Sequence, residues 1–146
     1  MAYNIQICID AENAHAQADW WAQTLGWPVE DTDQAFIDQM LEKGFASPDD
    51  LIEHKGVRMW RGGSAILQPV PPASPVPPMR ILFQPVPEPK TVKDRIHLDI
   101  RLSGDDRDAV RADLEARGAK FLWEANEGPH AWYTMADPEG NEFCIS

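Results

Sequence analysis

Two cysteines, four histidines and six tryptophans are the side chains best equipped for chemistry or recognition in this chain of 146 residues. Cys8 and Cys144 are too few and too far apart for a disulfide framework or a thiolate zinc site. Each is either a nucleophile or, as is commoner for cysteine, a buried inert thiol. His15 and His54 read as surface residues of helices. His130 precedes a strand, where it is either an acid/base group or an exposed loop histidine. Trp20 and Trp21 are explained by helix packing, whereas Trp60, Trp123 and Trp132 fall on strands or their ends. Their flat apolar rings fit either ordinary core packing or an aromatic-lined pocket. No glycine-rich phosphate loop, nucleophile elbow or basic stripe is present, which sets those chemistries aside.

An internal repeat positions these residues. The first copy opens Ile5-Gln6-Ile7-Cys8-Ile9-Asp10, an alternating run that predicts a half-buried strand. A helix follows over 13–25, with Ala14, Ala18, Trp21 and Leu25 at helical spacing, and Gly26 stops it. The second copy opens Ile96-His97-Leu98-Asp99-Ile100-Arg101. Gly104-Asp105-Asp106 leads into a helix with Val110 and Leu114 on one face, acidic residues in the first turn and Arg117 in the last, ended by Gly118. Superposing the copies sets Gln6 against His97, Cys8 against Asp99 and Asp10 against Arg101.

Further strands follow each helix, in the order βαβββ. In the second copy they cover 119–123, 131–135 and 142–145, with the turn Asp137-Pro138-Glu139-Gly140-Asn141 before the last. In the first copy they cover 57–60, 65–70 and 80–86, after a helical insertion over 32–55. Thr32 is the expected N-cap of its first helix, which runs to about Lys43 with Gly44 after it, and Ser47-Pro48-Asp49-Asp50 starts a second. The proline-rich stretch 69–78 cannot supply ladder hydrogen bonds and reads as a rigid, exposed hairpin loop. Residues 87–93 read as the linker between the copies. The expectation is thus one α+β domain over 1–146, with modules at 3–86 and 94–146.

Composition fits this reading. The chain is 43% hydrophobic and 25% charged, ordinary for a globular domain, and its length suffices for a core without disulfides or a structural metal. Thirteen Lys and Arg against 24 Asp and Glu give a net charge of −11, which repels phosphate backbones and anionic membranes. Neither nucleic acid nor a membrane is expected as a partner. The opening residues lack the basic flank and apolar run of a secretory signal, so the expected location is cytoplasmic.

The run Ala136-Asp137-Pro138-Glu139-Gly140-Asn141-Glu142-Phe143-Cys144-Ile145, the Ile96-His97-Leu98-Asp99 strand, and the helix ends Leu25-Gly26-Trp27 and Arg117-Gly118-Ala119 together resemble the vicinal oxygen chelate superfamily. That group includes glyoxalase I, bleomycin-resistance proteins, fosfomycin-resistance enzymes and extradiol dioxygenases, and the likeness is to its glyoxalase-like branch. The resemblance implies two βαβββ modules whose curved mixed sheets enclose a cavity, often in a homodimer. It also implies one divalent metal ion (Ni, Zn, Mn or Fe) held by side chains from the first and last strands of each module. Carried over, the metal ligands are Gln6, His97 and Glu142. The fourth position falls on Leu82 or Arg80, according to register, and neither binds a cation. Strand parity would pack Ile96, Leu98 and Ile100 on the helix and leave His97, Asp99 and Arg101 on the cavity face.

The expected function is binding of a small organic molecule. Glu142 and His97 are the candidate catalytic groups for lyase or isomerase chemistry, and Gln84, Arg80, Asp99, Trp60 and Trp132 are the candidate substrate contacts. The alternative is a non-catalytic, bleomycin-resistance-like protein that sequesters a cationic aromatic compound.

Overall fold

Alternation along the first strand decides which side chains the core receives. In β1, Ile7–Ala11, Ile7, Ile9 and Ala11 turn inward while Cys8 and Asp10 stay exposed, as does Gln6 just before the strand. In the computed structural model, which describes residues 4–146, the chain divides into two compact units after Pro87. The expected start of the first module at Tyr3 lies outside the described residues. The architecture is α+β, two βαβββ modules.

In the first unit β1 leads into α1, Ala14–Leu25. Asn13 caps it, its Oδ1 accepting from the Ala16 N–H at 3.0 Å. Gly26 ends it at φ 65°, in the left-handed region. Ala14, Ala18 and Trp21 are buried as the spacing predicts. β1 pairs in parallel with β5, Arg80–Pro85, and β5 pairs antiparallel with β4, Ser64–Leu67. The place of a fourth strand is taken by a single bridge, Val29 to Ile66. Between that bridge and β4 come α2, Gln34–Glu42, a short 3-10 turn, and a hairpin of β2, Leu51–His54, and β3, Val57–Trp60.

The insertion differs in detail from its sequence reading. Asp33, not Thr32, caps α2, its Oδ1 accepting from the Phe36 N–H. Residues 51–54 are extended, and the strand expected at 57–60 pairs with them rather than with the main sheet. The hairpin also removes His15 and His54 from the helical surface expected for them. His15 is 3% exposed, its Nε2 donating to the Trp60 carbonyl at 2.9 Å. His54 lies on β2 with Nε2 2.7 Å from Asp19. The segment 69–78 is a loop, mostly exposed, closed at its base by the Gln68 N–H donating to the Met79 carbonyl.

Where β4 passes β5, Gly63 has φ 155°, and a Cβ there would lie 2.7 Å from the Phe83 carbonyl oxygen. Gly63→Ala should therefore destabilise the protein by about 1–2 kcal/mol, read as a lower midpoint in urea unfolding. An unchanged midpoint would show that the close approach relaxes freely.

The second unit is one four-stranded sheet in the order β6-β9-β8-β7. Its strands are β6, Leu98–Ile100, β7, Lys120–Glu127, β8, His130–Ala136, and β9, Glu142–Ile145. α3, Arg107–Ala116, is capped by Asp106. It lies on the sheet through buried Leu114 and through Arg107 and Arg111, whose guanidiniums stack 4.1 Å over Tyr133 and 3.7 Å over Phe121. Ile96 does not pack on the helix. It is 87% exposed, because β6 begins only at Leu98. The Glu142 N–H, which a longer β6 would draw into the ladder, donates instead to the Asp94 carboxylate at 3.1 Å.

The turn before β9 shows why Asp, Gly and Asn are needed there. Buried Asp137 accepts the backbone N–H groups of Glu139 and Asn141 and the side-chain amide of Asn141. Gly140 takes φ 92°. The turn is an Asx-type cage that aims Glu142, Phe143 and Cys144 into the sheet. Among the described residues no helix is long and apolar enough to cross a membrane.

Candidate functional site

The open face of the second unit's sheet, opposite α3, carries a hollow of about 870 Å³. Its floor comes from alternate residues of three adjacent strands. His97 stands just before β6 and Asp99 on it, Cys144 and Glu142 on β9, and Thr134 on β8. Phe143 and Ile145, of opposite parity, are 1% and 0% exposed in the core. Trp123 and Trp132 supply indole walls, with His130 beside them, and Lys93 and Arg101 bring positive charge to the same hollow.

His97 Nε2 lies 3.2 Å from Asp99 Oδ1. Glu142, with a side chain only 13% exposed, is held in a clasp: Lys90 Nζ is 2.8 Å from its Oε2, and the Asp94 N–H donates to the same oxygen at 3.0 Å. Burial alone would raise the Glu142 pKa, but the Lys90 ammonium and the backbone donors outweigh it and hold the carboxyl down to about 2. Asp94 moves the other way: burial raises it, against Lys90, and the Glu142 charge adds to the rise. Burial also pushes the Cys144 thiol up, offset in part by the Thr134 hydroxyl, with Asp99 adding to the increase. Cys144 is thus a protonated thiol at neutral pH rather than an activated nucleophile.

The first unit resolves the register of its fourth position. β1 aligns Ile7 with Ile81, and β6 aligns Leu98 with Phe143. One residue earlier, Gln6 therefore stands by Arg80 as His97 stands by Glu142. Arg80, not Leu82, is the counterpart of Glu142. Its Nη1 donates to Gln6 Oε1 at 2.7 Å, while Nε and Nη2 both donate to the Glu30 carboxylate.

Of the residues singled out from sequence, the hollow gathers His97, Asp99, Trp132 and Glu142. Gln6 and Arg80 meet in the first unit, and Gln84, exposed, follows Arg80 and Leu82 on the same face of β5. Trp60 lies on the inserted hairpin, edge-on to Phe36. Sequence reasoning missed Lys90, Asp94 and Glu30. The first two lie in or beside a segment that reads as a linker, and Glu30 carries no local pattern; only the tertiary structure supplies their partners.

The family model described as "Glyoxalase-like domain" matches residues 6–146. No curated protein matches the chain in sequence. Among solved structures, the chain is similar to the fosfomycin resistance protein FosX from Mesorhizobium loti, with a TM-score of 0.58 at 6% identity, covering 99% of this chain and 90% of that one. A member of the glyoxalase/bleomycin resistance protein/dioxygenase superfamily from Sphaerobacter thermophilus gives 0.56 at 16% identity, covering 99% and 96%. The trypanothione-dependent glyoxalase I of Leishmania major gives 0.52 at 9%, covering 99% and 86%. At these identities the likeness is one of fold.

Proposed function

Because the chain belongs to the glyoxalase-like domain family, we propose that the hollow in its second unit binds a small organic molecule with a flat apolar part and a polar or anionic group. The observation that carries this reading is the joining of two indole walls, Trp123 and Trp132, to a polar floor of His97, Asp99 and Thr134 with Arg101 and Lys93 beside it. Indole faces take planar apolar area. The guanidinium offers a two-pronged donor to a carboxylate or phosphate-like group.

The donor chemistry does not favour a resident divalent ion on Gln6, His97 and Glu142. The Gln6 amide oxygen already accepts from Arg80, and the Glu142 carboxylate is neutralised by Lys90. Each of these two donors would have to give up its cation before it could serve an ion. A carboxylate held near 2 is also a poor proton acceptor at neutral pH. Of the two candidate catalytic groups, His97 has a carboxylate rather than an ammonium beside it, Asp99 Oδ1 lying 3.2 Å from its Nε2. A Glu142 that does not take up protons is also compatible with the second reading, sequestration without turnover, in which the indoles would hold a cationic aromatic compound.

Tryptophan fluorescence titrated with planar carboxylates, planar cations and neutral aromatics separates these readings. Saturable quenching by a carboxylate, weakened roughly tenfold by Trp132→Ala, is the expected result. Preference for the cations would favour sequestration, and no saturable binding across the panel would overturn both. Proton NMR of the bound compound over hours then reports whether it is converted.

A further inference from the structure

We infer that the floor of the second unit's hollow is itself a transition-metal site, built of His97, Asp99 and Cys144, one pleat further along the strands than the pair His97 and Glu142. The ligand atoms of these three side chains lie within 4.8 Å of one another. The strands impose this closeness. Asp99 and Cys144 are directly paired across β6 and β9, and His97, two residues before Asp99, projects from the same face. His97 Nε2 and Asp99 Oδ1 are 3.2 Å apart. Two ligands at about 2.0–2.1 Å on a tetrahedral zinc ion stand roughly 3.3 Å from each other, so this pair needs almost no rearrangement.

Charge and softness agree with that geometry. Thiolate, imidazole and carboxylate together suit zinc or cobalt rather than magnesium or calcium. One carboxylate and one thiolate balance a divalent ion, and the thiol proton leaves to solvent as the Cys144 sulfur–metal bond forms. The Thr134 Oγ1, 3.6 Å from Cys144 Sγ, is placed to donate to the thiolate, the kind of outer partner that tunes such ligands. The contrast with Glu142 is direct. Lys90 covers Glu142, whereas the ion pair of Asp99 is with His97, itself a ligand. Three protein ligands leave the fourth position facing the hollow, where a water or a donor atom of the bound molecule completes the tetrahedron.

The site rests on the proposed hollow only for access, and its test uses metal alone. Cobalt(II) is titrated into the purified, chelator-treated protein with no organic ligand. The expected result is a saturable thiolate-to-cobalt charge-transfer band that zinc displaces. Cys144→Ser should abolish the band, and Asp99→Asn should weaken cobalt roughly tenfold or more. Asp99 is exposed, with its side chain 67% accessible, so that variant keeps its fold even if Cys144→Ser does not. Cys8→Ser should retain the band. Absence of saturable binding, or binding that survives both Cys144→Ser and Asp99→Asn but is lost in Glu142→Gln, would overturn the assignment. A failed cobalt titration beside successful fluorescence binding would remove the metal and leave the ligand hollow standing.

Discussion

Lys90→Met should destabilise the protein by about 3 kcal/mol at pH 7, and the loss should shrink as the pH is lowered toward about 3. Lys90 bridges Glu142 at 2.8 Å and Asp94 at 3.9 Å, with side chains only 18%, 13% and 26% exposed. Methionine keeps the length and apolar stem but leaves two carboxylates facing each other with no cation between them. Removing one partner of a mostly buried ion pair costs about 3–5 kcal/mol, and the remaining solvent contact places this case at the low end. The sign follows from linkage. The Glu142 carboxyl sits near 2 in the folded protein against an ordinary 4.5. Its contribution is therefore fully present above about pH 4.5 and is lost as the pH falls from there toward 2. Asp94 opposes it in a smaller way, since a raised pKa costs stability at neutral pH and is relieved by acid. Urea unfolding at about pH 7 and about pH 3 measures both limbs. A loss of equal size at the two pH values would mean that Lys90 acts through packing rather than charge.

Arg80→Glu should cost about 2 kcal/mol and should be rescued by exchanging the partners. The substitution removes the donors to Glu30 and Gln6 and sets one carboxylate against another. Arg80 and Glu30 are 31% and 39% exposed, so solvent screens much of the bare Coulomb attraction, and the expected loss is smaller than for a buried pair. The double variant Arg80→Glu with Glu30→Arg restores opposite charges and should recover most of the loss. Molar salt, which shortens the screening length to about 3 Å, should shrink the single variant's penalty. If the exchange rescued nothing, the guanidinium geometry toward Gln6 would matter more than the charge.

On the second unit's open face the proposed ligand set lies within the hollow itself. Indoles and Arg101 would recognise the organic part of a guest, and His97, Asp99 and Cys144 would present an ion to its donor atom. The Lys90 clasp holds Glu142 out of that chemistry while fixing the chain entering the second module to its last strand.

Sequence by itself determined the repeated βαβββ order and the half-buried alternation of β1, because both follow from period-two alternation, local caps and glycine turns. Asp137, Gly140 and Asn141 read as a turn for the same reason: their hydrogen bonds close within a few neighbouring residues. Parity within the second copy's first strand likewise put His97 and Asp99 on one face. Only the tertiary structure decided which charges those faces keep. Lys90, ahead of the second module's first strand, reaches Glu142 in its last, and Glu30 reaches Arg80 from 50 positions away along the chain. The inserted hairpin turned His15 inward, and a side-chain clasp cut β6 short at Leu98. Ion pairs and edge contacts of this kind carry no periodic signal, since they depend on distances in space that the fold alone creates.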